Sequence, residues 1–214
     1  MQDYAKAIFS LQESLEGPVS TTAIAERLGV TAASASGMVR KLHECGLVEH
    51  APYKGVELTR RGRRLALEVI RRHRLLETFL TASLGVPWDR VHDEAEVLEH
   101  VLSEDLEELI AAKLGHPTRD PHGDPIPTVD LELVEPPVRC LASVEAGARG
   151  VLVRVSDAEP EKLRYLASLG IAPGDAFEVI ERHPFEGPLF VRFGDEVHPL
   201  GGELAKSMSV EVRP

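Results

Sequence analysis

The chain has 214 residues, 43% of them apolar, and a formal net charge of −11. That length accommodates more than one domain with its own core, and no apolar run reaches the roughly 18–20 residues of a membrane span, which excludes a transmembrane class. The start, Met1-Gln2-Asp3-Tyr4-Ala5-Lys6, lacks the basic head and long apolar run of a secretion signal, and Cys45 and Cys140 have no metal-ligand spacing, so two reduced thiols in a cytoplasmic protein are expected.

The charge is unevenly spread. Residues 1–74 carry 12 basic and 8 acidic side chains, and residues 75–214 carry 12 and 27. A basic front and an acidic remainder suit DNA contact at one end and cation binding elsewhere. The competing reading is an acidic surface that only keeps the protein in solution.

In chain order, Tyr4, Ile8 and Leu11 predict an amphipathic helix over residues 3–15, ended by Gly17-Pro18. Thr21 or Thr22 is expected to cap a second helix with Ile24, Ala25 and Leu28, and Thr31 opens a third with Ala35, Val39 and Leu42 on one face. Gly29-Val30 between them makes a tight turn, and two short helices so joined form a helix-turn-helix. Residues 47–50 and 56–59 then read as a β-hairpin, a wing, before a long helix capped by Thr59 and running to about residue 83.

After Gly85-Val86-Pro87 a single helix is expected from about residue 90 to 113. On it His92, Glu96, Glu99 and His100 share an arc of about 100°. Imidazoles and carboxylates one turn apart supply the converging donors that a divalent cation needs. The alternative is a solvated acidic face. Val91, Ala95, Leu98, Leu102, Leu106 and Leu109 form a second, apolar stripe for the core or a second subunit. His73 and Glu77 stand at i, i+4 on the preceding helix, as a second donor pair or a surface charge pair. Residues 116–137, with six prolines, read as a linker or wrapping segment. Short β-type runs at 151–155, 176–180, 189–193 and 208–212, with a helix at about 159–169, suggest a small barrel.

Three motifs, Arg72-His73-Arg74-Leu75-Leu76-Glu77, the run from Val91 to His100, and Pro121-His122-Gly123-Asp124-Pro125-Ile126-Pro127, resemble those of the diphtheria-toxin-repressor (DtxR/MntR) family over essentially the whole chain. The resemblance implies a mostly α fold with a small β part. A winged helix-turn-helix DNA-binding domain would span residues 1–62 and a helical metal-binding and dimerisation domain 63–130. A linker at 131–139 would lead to an SH3-like (FeoA-like) β-barrel at 140–214. It implies a homodimer, with no membrane partner, that binds a palindromic operator on double-stranded DNA when a divalent metal is bound.

The resemblance also implies a primary metal site of Asp3, Glu96, Glu99 and His100. Iron-sensing members place Met and Cys where this chain has Asp3 and Glu96. Carboxylates are hard donors suited to Mn²⁺, so manganese is expected, with Fe²⁺ as the alternative and other divalent transition metals as substitutes in vitro. A second site would use His73, Glu77 and His92, with Asp120, His122 and Asp157 and with Glu159 as a further candidate. The competing reading of Asp120, His122 and Asp157 is turn chemistry. Lys6 stands where two-domain manganese sensors carry another carboxylate. Without an ion the carboxylates are expected to repel and leave the first helix loose.

The third helix is expected to present Thr31, Ala33, Ser34, Ser36 and Gly37 to the major groove, with Arg40, Lys41, Tyr53, Lys54 and Arg60 on phosphates. Small side chains give no bidentate base reading, so specificity leans on DNA shape and half-site spacing. Two other classes compete. A manganese-dependent metallohydrolase lacks a separate nucleophile or general-acid motif, and a peptide-binding adaptor has few aromatics to line a groove at 5% of residues. The sequence therefore reads as a regulator and not an enzyme.

Overall fold

A computed structural model describes residues 1–15, 17–51, 55–135, 137–184 and 187–213. They fall into two compact units. The first comprises Met1–His73, Glu99–Val101 and Pro127–Glu132, and the second Arg74–Leu98, Leu102–Ile126 and Leu133–Pro214.

The first unit opens with α1 (Gln2–Leu15), α2 (Thr21–Leu28) and α3 (Ala32–Glu44). Ser20, and not Thr21 or Thr22, caps α2: its Oγ accepts the Ala23 N–H, three residues on. Gly29, at φ 62°, ends α2 in the left-handed conformation that glycine adopts without a Cβ clash. Thr31 caps α3 as expected, accepting from Ser34 N. Strands β1 (Val48–Ala51) and β2 (Gly55–Leu58) pair antiparallel as the wing, and Val19 extends them by exchanging both backbone hydrogen bonds with Val56. Ile8, Val19, Ile24, Val39, Leu42 and Val56 meet in the core of this unit.

Thr59 accepts the Gly62 N–H and starts α4 (Arg60–Leu84), whose first part to His73 belongs to the first unit. A Cβ on Gly62 would lie 1.9 Å from the Leu47 carbonyl oxygen, so glycine alone lets α4 approach the end of the helix-turn-helix.

The expected helix from about 90 to 113 is divided. Helix α5 (Val91–Leu98) ends, residues 99–101 form a turn, and α6 (Glu104–Lys113) begins anew. Ser103 makes the break by accepting the Leu106 N–H, and Glu104, Asp105 and Glu107 in the first turn of α6 complement its dipole. Glu99 and His100 therefore stand on a turn, and the shared helical face holds only for His92 and Glu96. Val91 and Ala95 are buried and Leu102 is partly so, whereas Val97, Leu98, Leu106 and Leu109 are exposed.

The C-terminal part is a six-stranded antiparallel sheet in the order β3-β8-β4-β5-β6-β7. Its strands are β3 (Arg139–Cys140), β4 (Arg149–Val155), β5 (Ala176–Arg182), β6 (Leu189–Phe193), β7 (Glu196–Leu200) and β8 (Met208–Arg213). Helix α7 (Pro160–Ser168) follows β4 and α8 (Gly202–Lys206) precedes β8. The core joins Leu141, Leu152, Leu163, Leu166, Ile171, Phe177 and Met208. Among the described residues no helix is long and apolar enough to cross a membrane.

Residues 116–126 are a tightly bonded loop. Asp120 Oδ1 accepts the N–H groups of His122 and Asp124, each at 2.9 Å, and Arg74 donates to the Pro125 carbonyl at 2.5 Å. Gly123, at φ 89°, packs on β4, where a Cβ would lie 1.9 Å from the Val153 carbonyl oxygen.

Gly62→Ala is expected to destabilise the protein by about 1–3 kcal/mol, the usual cost of overpacking. Gly37 of α3 has open space where a Cβ would go, so Gly37→Ala should stabilise by about 0.5–1 kcal/mol. Urea unfolding of the two variants checks the opposite signs.

Candidate metal centres and DNA-reading face

In the first unit α1 and the turn after α5 bring Asp3, Glu99 and His100 together, with ligand atoms within 4.8 Å of one another. Gln2 Oε1 lies 3.0 Å from His100 Nδ1. With the proton on Nδ1 this bond leaves Nε2 facing Asp3 Oδ1, 2.9 Å away. Asp3 Oδ1 is buried and accepts no hydrogen bond of good geometry despite that short distance. A buried oxygen without a donor, beside an imidazole nitrogen and a second carboxylate, fits a divalent cation.

Glu99 is the buried member, its side chain 0% exposed. Lys6 Nζ lies 2.8 Å from its Oε1 and 3.0 Å from its Oε2, and His73 Nδ1 lies 2.5 Å from Oε2. Burial opposes the Glu99 charge, but His73 and then Lys6 outweigh it and hold the carboxyl below its usual range. Lys6 of α1 and His73 of α4 are the partners of Glu99, so an ammonium group stands among these carboxylates. His73, expected with the second set, is one of these partners. Lys6 lies one turn after Asp3, so its face on α1 is legible in the sequence, but its partner 93 residues away is not. Glu96 belongs to the second unit, with Oε1 3.6 Å from His92 Nε2.

The second unit gathers a second set around Glu77, which is 1% exposed. His92 Nδ1 lies 3.4 Å from Glu77 Oε1 and 3.2 Å from Asp157 Oδ2, and His122 Nδ1 lies 3.6 Å from Glu77 Oε2. Ligand atoms of Glu77, Asp120 and His122 fall within 4.8 Å of one another. His122 Nε2 donates to the Trp88 carbonyl at 2.7 Å and its ring stacks on the Trp88 indole, which aims Nδ1 at Glu77. Asp120 serves both readings: Oδ1 makes the loop's turn, while Oδ2 lies 3.7 Å from Arg74 Nε. Glu159 is not brought in. It is exposed at the start of α7 and pairs with Lys162 at 2.6 Å. Trp88 lies in none of the three motifs, and Arg74 lies in the first of them without any sign of its role as a support.

His92, His122 and Asp120 hold protons tightly, whereas Asp157 does not. Hydrogen bonds to Asp157 and then Glu77 raise His92 to about 10, and against its burial Glu77 raises His122 to about 9. Burial, with Asp124 and Glu77 adding negative charge, pushes Asp120 up to about 8. Burial opposes the Asp157 charge, and His92 holds its carboxyl low.

The recognition helix presents Thr31, Ala33, Ser34, Ser36, Gly37, Arg40 and Lys41 exposed, and Arg60 is exposed at the start of α4. The Thr31 hydroxyl also donates to Ser34 Oγ at 2.9 Å, so it is engaged in capping the helix. Tyr53 and Lys54, expected on phosphates, lie outside the described residues.

A histidine raised above its unfolded value of about 6.5 stabilises the fold fully below that pH and loses the contribution as pH rises through the raised value. His92 therefore stabilises chelated protein below pH ~6.5, and its contribution disappears towards pH ~10. The difference in melting temperature between wild type and His92→Gln is expected to be largest near pH 6 and to shrink as pH rises; a constant difference would contradict this.

Three family models match in succession: the iron-dependent repressor N-terminal DNA-binding domain over residues 1–56, the iron-dependent repressor metal-binding and dimerisation domain over 59–128, and the FeoA domain over 139–212. The iron-dependent repressor IdeR of Mycobacterium tuberculosis is 35% identical over 221 aligned positions, covering 97% of this chain and 95% of its own. The diphtheria toxin repressor of Corynebacterium efficiens is 32% identical over 97% and 93%. A solved manganese-dependent transcriptional repressor in complex with manganese is 48% identical, covers 99% of both chains and superposes with a TM-score of 0.91. These relatives are transcriptional repressors, and the metallohydrolase and adaptor readings fall away. The chain belongs to the diphtheria-toxin-repressor family of metal-dependent, DNA-binding transcriptional repressors.

Proposed function

We propose that this repressor senses Mn²⁺ and controls genes of manganese homeostasis from a palindromic operator. Asp3, Glu96, Glu99 and His100 are the proposed primary ligands. The observation that carries the reading is the donor set: three carboxylates and one imidazole, hard donors that suit Mn²⁺. The manganese-dependent repressors at 48% and 43% identity support it. Iron sensing is the second reading, favoured by the 35% identity to IdeR.

Asp3, Glu96, Glu99 and His100 would hold the ion, whose positive charge would neutralise these carboxylates. Asp3 links these ligands to the reader, because α1 packs on α2 and β2 through Ile8 and the core around it. The exposed apolar row Val97, Leu98, Leu106 and Leu109 supports pairing with a second copy. Two α3 helices then stand at half-site spacing. Arg40, Lys41 and Arg60, with Tyr53 and Lys54, neutralise phosphates, so binding weakens steeply with salt. The Glu77, His92, Asp120, His122 and Asp157 set, with His73, is the proposed second site.

The test is fluorescence anisotropy with DNA from upstream of the gene itself or of a manganese transporter, at fixed salt. Mn²⁺ is expected to tighten binding at least tenfold, a coupling of about 1.4 kcal/mol, and by more than anaerobic Fe²⁺ does. Asp3→Ala should lose this response. An equal or better response to Fe²⁺ would replace manganese by iron, and no metal response at all would remove the proposed switch. On the DNA side, Gly37→Gln should weaken operator binding while leaving stability within about 1 kcal/mol, because its Cβ position is open.

A further inference from the structure

We propose that Lys6 is a built-in competitor for the primary metal site: its ammonium occupies the Glu99 carboxylate and must give up at least one oxygen when a divalent cation binds. The inference rests on the proposed site at Glu99. Lys6 Nζ lies within hydrogen-bond distance of both Glu99 oxygens, and His73 takes Oε2 as well, so a cation approaching Glu99 meets a carboxylate already engaged at each oxygen. The pair is shielded, with the Lys6 side chain 19% exposed and that of Glu99 fully buried, so the attraction is poorly screened by solvent. Lys6 also belongs to α1, one turn from Asp3, so the ammonium stands beside the proposed ligands and repels a second positive charge there.

Two consequences follow. Lys6 sets the metal affinity below what the donor set alone would give, so the site fills only above a threshold concentration. It also keeps α1 attached to Glu99 when no ion is bound, so filling the site exchanges one cation for another at a buried carboxylate.

The experiment is calorimetric titration of Mn²⁺ alone into full-length wild type, Lys6→Met, Lys6→Arg and Asp3→Ala at one pH and ionic strength. The binding component lost in Asp3→Ala defines the site. In Lys6→Met that component should tighten by roughly tenfold or more, since a charge-assisted bond and a repulsion are both removed. Lys6→Arg should stay near wild type. Melting in chelator should be lower for Lys6→Met, while saturating Mn²⁺ should restore it further than it raises wild type.

An unchanged or weaker affinity in Lys6→Met would overturn the proposal. If wild type has no Asp3-dependent component, the site itself fails and the role of Lys6 falls with it. Should Lys6→Met not fold, a crystal structure of Mn²⁺-loaded wild type decides: Lys6 displaced from a metal-bound Glu99 oxygen supports competition, and both bonds retained contradicts it.

Discussion

A carboxylate buried away from water must have its charge compensated, and Glu99 is the point where this requirement shapes the molecule. Its partners come from distant parts of the chain: Lys6 from α1 and His73 from α4, with Asp3 and His100 beside it. Of these partners Lys6 is the one whose bonds to Glu99 hold α1. Because α1 shares a core with the helix-turn-helix, we propose that a change of cation at Glu99 is felt where DNA is read. The turn that carries Glu99 exists because Ser103 starts a new helix and breaks what would otherwise be one long one.

The second cluster follows the same logic with different supports. Glu77 is as buried as Glu99, and it is faced by His92 and His122. His122 is held from three sides: the Trp88 carbonyl accepts from its Nε2, Asp120 Oδ1 accepts from its backbone N–H, and its carbonyl accepts from Val155 at the end of β4. Gly123 packs against Val153 of the same strand. The C-terminal sheet thus anchors the loop that carries His122, and Asp157, just beyond β4, reaches His92. The FeoA-type domain thus contributes a carboxylate that faces His92 and a rigid edge for the loop.

What the sequence discloses and what it hides divide along the range of the interaction. Local signals are legible: Thr31 and Thr59 cap the helices they precede, and the apolar period gives α1 to α3. Four strands of the sheet are legible from their β-branched runs. Strand β7 is not, because Pro199 lies within it, and an edge strand tolerates a proline that a central one would not. The division of the long helix turns on one serine cap that competes with a continuous apolar stripe, and the periodicity misses it. The family resemblance points to Asp3, Glu99, His100, Glu77, His92, His122 and Asp157, which the two units bring together in their respective clusters, and to Glu96, which stands beside His92. The compensating partners Lys6, Arg74 and Trp88 depend on contacts 93, 46 and 34 residues away in sequence, and no local pattern announces them.

The most direct test of the central claim removes the charge and keeps the shape. Glu99→Gln leaves a neutral isostere in the buried position, and its operator affinity is measured by anisotropy in chelator and in saturating Mn²⁺. If compensation of the Glu99 charge is the link between metal and DNA, the variant binds with one affinity in both conditions, while wild type gains at least about tenfold. A variant that keeps the full Mn²⁺ response would show that the coupling runs through other residues and would contradict the account.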